Sequence, residues 1–289
     1  MSTQQSEMHD FWTRQAQDAR SSEALLAAHR AELETDGEWD ALWILRYRGG
    51  PQEFELARQL TCSSDSKDRL IGANLLGQLG RPPAFVEESV AILIGLLEDP
   101  DLDVIETAIT NLGHRGDARA VKAMMPFAKS DKADIRYALA FALGQMASDE
   151  AAGTRAEATA ILVAETLTAL TDDDDEDTRY WAMFGLGSQS DVDSAAIRAA
   201  LAAGTKDPNH EIRGEALVGL ARRRDDRTRD ALLHEWERDE VSVLSLEAAA
   251  ILADPALFVR LTELRSVLDL EDDQYFKNHL LAAIAACRR

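Results

Sequence analysis

Four arginines raise the first chemical question. Arg69, Arg136, Arg179 and Arg213 each open an apolar run, and three of them follow an acid by two residues: Asp134, Asp177 and Glu211. A recurring arginine beside a carboxylate invites a catalytic reading. Aromatic rings stand in fixed phase with the same reference position. One and five residues after it come Trp39 and Trp43, Tyr137 and Phe141, and Tyr180 and Phe184, with Trp181 beside them. Residues four apart share a helix face, and clustered large rings are the usual anchors of protein interfaces. The side chains therefore offer two chemistries, a catalytic arginine column and ring-based recognition.

Other candidates for catalysis do not assemble. The six histidines, His9, His29, His114, His210, His234 and His279, have no second His or Cys at ligand spacing. No HExxH, GxSxG or Gly-rich phosphate loop occurs. "TDDDDEDTR" over 171–179 is dense in carboxylates but lacks the spaced ligands and central Gly of a calcium loop. It reads as a solvated turn that caps the helix after it. "ARRRDDRTRD" over 221–230 is the one concentrated basic patch, and its interleaved acids predict local pairing. Cys62 and Cys287 make neither a disulfide framework nor a zinc site by themselves. No catalytic residue, metal or cofactor is expected.

The elements that must position the arginines and rings are repeats. "DIRYALAFALGQ" at 134–145 returns as "DTRYWAMFGLGS" at 177–188, and related phrases can be aligned on positions 38, 69, 105, 136, 179, 213, 245 and 275. Intervals of 30 to 43 residues suit a two-helix unit. Between the phrases lie segments with apolar residues at helical spacing, such as "PQEFELARQL", "SAAIRAALAAG" and "TRDALLHEW". The 43-residue interval is accounted for by "SDEAAGTRAEATAILVAETLTAL", an elongated helix or an extra turn. Asp-rich turns precede the phrases, where Asp can cap exposed N–H groups. The Gly after Leu marks a close-packing site or a helix end. Ile135, Leu139, Ala142 and Leu143 are the expected core of one unit. The fold class is therefore all-α, an α-solenoid of about eight two-helix repeats over 21–289, with a capping helix over 1–20. A phrase that recurs this often is what stacking demands, because each helix pair buries its apolar face only against the next. That favours a structural role for the arginine column, a ladder of charge pairs setting register.

The phrase Asp-x-Arg followed by Leu-Gly, after Asp-rich turns, resembles HEAT-like repeats of the PBS-lyase type. Arg136 with Gly144, Arg179 with Gly187, and Arg213 carry the resemblance, whereas Ile105, Ser245 and Tyr275 depart from it at the Arg position. It covers roughly 20–289. The resemblance implies a superhelix whose second helices line a concave side, which would put Tyr137, Phe141, Tyr180, Trp181 and Phe184 together there. It implies little about activity, since the repeat serves scaffolds, inhibitors, phycobilin lyases and some DNA glycosylases. Two functions follow as expectations. One is a non-enzymatic scaffold, inhibitor or adaptor that binds a protein on its concave face through the rings. The other is a phycobilin lyase-like, tetrapyrrole-binding protein.

Charge narrows the partner. The chain of 289 residues carries 52 acidic and 31 basic side chains, a net −21. Such a surface repels phosphate backbones, arguing against nucleic acid, and favours a basic protein. "MSTQQSEMHDFW" shows no secretory signal, and no apolar stretch approaches a membrane span, so a cytoplasmic location is expected.

Overall fold

Helical periodicity and capped turns produce an all-helical chain. The computed structural model describes residues 17–34, 40–148, 157–238, 241–267 and 273–288. Sixteen α-helices and no strand occur among the described residues. The chain divides into two compact units, Met1–Phe127 and Ala128–Arg289.

In the first unit the helices are α1 (Ser22–Glu34), α2 (Asp40–Arg48), α3 (Pro51–Leu60), α4 (Ser66–Gly77), α5 (Val86–Gly95), α6 (Leu102–Arg115) and α7 (Ala118–Met124). α4 packs between α3 and α6, and α6 also packs on α5. The second unit contains α8 (Ala133–Met146), α9 (Glu157–Leu170), α10 (Glu176–Phe184), α11 (Ala195–Gly204) and α12 (His210–Arg222). It continues with α13 (Thr228–Glu235), α14 (Val243–Leu252), α15 (Phe258–Val267) and α16 (Gln274–Cys287). There α8, α10, α12, α14 and α16 stack in succession, with α9 against α8 and α10, and α11 against α12. The eight recurring phrases are the helices α2, α4, α6, α8, α10, α12, α14 and α16. The helical repeat architecture read from the sequence is the one observed.

Packing follows the phase of the apolar residues. Ile135, Leu139, Ala142 and Leu143 are at most 2 % exposed. Burying a Leu or Ile fully contributes about 1.5–3 kcal/mol, so one phrase helix supplies several such terms to its neighbours. Caps fix where each helix starts. Asp65, Asp101, Asp175 and Asn209 each accept a backbone N–H in the first turn of their helix. The turn "SDKAD" departs from this expectation: Lys132 occupies the cap of α8 and offers no acceptor. α10 runs on into a single π-helical turn over Gly185–Gln189, a feature its sequence did not announce.

Some expectations fall outside the described residues. The capping helix proposed over 1–20 lies there except for 17–20, which form a non-helical turn before α1. Within the long interval, 149–156 lies outside them, and the rest is the 14-residue α9. Among the described residues no helix is long and apolar enough to cross a membrane.

Candidate partner-binding face

Each arginine of the column reaches in two directions. Its Nη1 donates to the carbonyl six residues earlier, on Ser63, Ser130, Asp173 and Asp207 for Arg69, Arg136, Arg179 and Arg213, each at 3.0 Å. The fork also reaches an acid further along the chain. Arg69 binds Asp99 at 2.7 and 2.8 Å, and Arg136 binds Asp173 at the same distances. Arg179 reaches Asp207 at 2.9 Å, and Arg213 reaches Glu235 at 2.8 and 3.1 Å. Asp99, Asp173 and Asp207 accept in addition the amide two residues on, so each acid shapes its own turn while holding an arginine from the previous phrase. The arginine fork and these amides hold Asp99 and Asp173 below the ordinary carboxylate range. The guanidiniums of Arg69 and Arg136 have their forks filled by protein, and those of Arg179 and Arg213 are each held by an acid and backbone carbonyls, so the column is committed to contacts within the stack.

The rings gather around one residue. Trp181 on α10 meets Phe141 of α8 edge-on, with centroids 4.7 Å apart and planes at 80°. Its own-helix neighbours Tyr180 and Phe184 also meet it edge-on, at 5.5 and 5.4 Å. This is the arrangement that ring quadrupoles favour. Phe141, Tyr180, Trp181 and Phe184 are all half-buried: they cover one another without being sealed from solvent. Tyr137, one turn earlier on α8, is half-buried too, but has no ring contact with the described residues. α8 and α10 approach closely because Gly144 faces the Trp181 carbonyl, where a Cβ would come within 3.1 Å. Trp43 is half-buried in the first unit, with the Arg46 guanidinium 5.1 Å above its ring. Trp39 lies outside the described residues.

Glu215 is the residue that the sequence reading missed. It stands on α12 only 4 % exposed, and Ser188 of the π-turn donates its hydroxyl to Glu215 Oε2. Burial, reinforced by Glu247 and Glu211, outweighs that hydrogen bond and pushes the carboxyl up to about 7. Glu215 and Glu211 also raise the neighbouring Tyr180 phenol, after burial. The ring cluster therefore has an acidic border formed by Glu211, Glu215 and Glu247. The available signal was an acid at the position of α12 that holds Trp181 in α10 and Ala138 in α8.

Other charged runs are engaged locally. In "TDDDDEDTR", Asp173 and Asp174 bind Arg136, while Asp175 caps α10. In "ARRRDDRTRD", Arg222 pairs with Asp191 and Arg227 with Asp225, and Arg223 donates to the carbonyls of Ser190, Val192 and Gly219. Among the described residues, no group of three His, Cys, Asp or Glu is placed to hold a metal ion.

The sequence pattern of HEAT repeats matches residues 55–144, 89–162 and 163–253. The chain belongs to the HEAT-repeat family. Among curated proteins, Protein YibA of Escherichia coli (strain K12) is 28 % identical over 221 residues, covering 74 % of each chain. The crystal structure of E. coli YibA shares the fold over 100 % of this chain and 98 % of that one, with a TM-score of 0.70 and 23 % identity. A designed armadillo repeat protein in complex with the peptide (KR)4 aligns over 81 % of this chain and 98 % of its own, at TM-score 0.50 and 16 % identity. The complex of CpcE and CpcF of phycocyanin lyase from Nostoc sp. PCC7120 reaches only 0.47 at 17 % identity, over 82 % and 96 % of the two chains. That is too little likeness to carry a lyase chemistry across to these HEAT repeats.

Proposed function

We propose that the chain is a non-enzymatic HEAT-repeat scaffold or adaptor that binds a basic protein segment on the ring-bearing face of α8, α10 and α12. The observation that carries this reading is the Trp181-centred ring cluster with its acidic border. Half-buried rings supply contact area at low entropic cost, and the exposed Glu211 and Glu247 would attract Lys and Arg side chains to their rim. Cation–π contacts with Trp181 or Tyr180 would add about 0.5–2 kcal/mol each. The fold shared with a designed repeat protein that holds a Lys–Arg peptide supports the partner class.

The test uses an alternating Lys–Arg octapeptide as probe, with binding read by fluorescence anisotropy at low and high salt. Binding is expected to weaken as salt rises, and to fall by about tenfold or more in the Tyr180→Ala, Phe184→Ala double variant. Helical content and melting should stay near those of the parent. Equal binding by parent and double variant would overturn the assignment of the face. Binding to an uncharged peptide of equal length with the same affinity would overturn the basic partner.

A further inference from the structure

In a chain of net charge −21, the first unit holds three neighbouring arginines without a carboxylate partner among the described residues. Arg46 lies in the last turn of α2, Arg81 on the loop between α4 and α5, and Arg115 at the end of α6. Among the described residues three arginines are less than a tenth exposed: Arg213 faces Glu235, Arg223 faces Asp193, and Arg46 at 7 % faces no described acid.

The last turn of α4 holds two of them. Arg46 Nε donates to the Asn74 carbonyl at 3.2 Å, and Arg115 Nε donates to the Leu76 carbonyl at 2.6 Å. The third is tied in by backbone. The Gly80 amide, one residue before Arg81, donates to the Arg46 carbonyl at 2.7 Å. Gly49 and Gly80 have φ of +51° and +83°; a side chain on Gly49 would run into the Gly80 backbone and push the loop off α2, and one on Gly80 would run into Pro82 and Ala84 within the loop. Phe85 at the loop's far end sits at φ +50°, stacked on Phe54 at 4.6 Å. The loop is thus fixed before any ligand arrives.

Many donors remain unused. Neither Nη of Arg46 has an acceptor among the described residues, nor has Nη1 of Arg115, and Arg81 donates only to the adjacent Gly80 carbonyl at 3.3 Å. Burial and then the charge of Arg81 bring both Arg46 and Arg115 down to about 10. His114, beside Arg115, is lowered by burial and then by Arg46 and Arg81, although part of the residue reaches solvent. Arg81 facing two guanidiniums that meet no acid among the described residues favours an anion between them.

We infer that Arg46, Arg81 and Arg115 form a binding site for a phosphate-class oxyanion at the ends of α2, α4 and α6. Planar forks bind the oxygens of phosphate two at a time, and three uncompensated cations match a dianion better than a single carboxylate. The site is independent of the ring-bearing face, lies in the other unit, and takes the opposite charge.

The test titrates the full chain with inorganic phosphate by calorimetry at low ionic strength, with acetate as the carboxylate comparison. Saturable binding of phosphate is expected, weakened by about tenfold or more in Arg81→Gln and in Arg115→Gln. Arg58→Gln, an exposed arginine paired with Glu55, serves as a control and should bind as the parent does. Because Arg81 is exposed, its variant should keep the parent's circular dichroism. Phosphate should also raise the His114 pKa, followed by NMR, since the anion offsets the two arginines that depress it. Absence of phosphate binding, binding unchanged in both arginine variants, or acetate binding as tightly as phosphate would each overturn the proposal.

Discussion

At the scale of single residues, the departures from expectation are electrostatic. Glu215 has a folded pKa of about 7, raised from its ordinary 4.5 mainly by burial. A raised carboxyl binds its proton more tightly in the folded state. Its contribution to stability is therefore complete below the unfolded value and is lost as pH rises through about 7. Glu215→Gln, which still offers Ser188 an acceptor, should remove that slope and gain up to about 3 kcal/mol over the parent at pH 8. Urea unfolding at pH 4.5 and pH 8 measures it; parallel pH profiles for the two proteins would refute the assignment. Asp99 and Asp173 act in the opposite sense. Their depressed values mean stability that is present above the ordinary carboxylate pKa and lost as pH falls through the folded one. Asp173→Asn should accordingly soften the acid limb of the profile.

At the scale of elements, contacts between successive helices rest on arginine forks and on glycines. Arg179→Ala should cost roughly 1–3 kcal/mol, since it strips Asp207 of a charge-assisted pair and the Asp173 carbonyl of a donor. A double-mutant cycle with Asp207→Ala measures the coupling, and a coupling of zero would relegate the arginine to ornament. Gly187→Ala is expected to destabilise by roughly 1–3 kcal/mol, because its methyl would run into the Glu215 carbonyl and force α10 from α12. The phrase helices were legible in the sequence because 3.6-residue periodicity and Asp-rich turns are local signals. The aromatic phase was also legible, placing Tyr137, Phe141, Tyr180 and Phe184 on their helices. What the sequence could not supply was the hub: Trp181 reads as a bystander until α8 and α10 close on Gly144. Glu215 stayed hidden for the same reason. An acid in a helix looks solvated until the π-turn brings Ser188 over it, and nothing in "GLGSQ" forecasts that turn.

At the scale of the whole molecule, a net charge of −21 opposes compaction. Thermal melting should shift upward with added salt, as screening relieves the repulsion between exposed carboxylates. A melting temperature that falls with salt would mean that the paired charges outweigh the unpaired ones. The arginine column adds a different property. Residues 173–206 begin with the acid that accepts Arg136 and contain Arg179, whose own acceptor, Asp207, is the first residue after them. The segment therefore carries one socket and one plug of matching kind. A second copy spliced in tandem would find its socket filled by the first copy's arginine, and its arginine would meet Asp207. The chain is, in this stretch, built from interchangeable parts, and can change length by whole repeats without leaving a buried charge stranded.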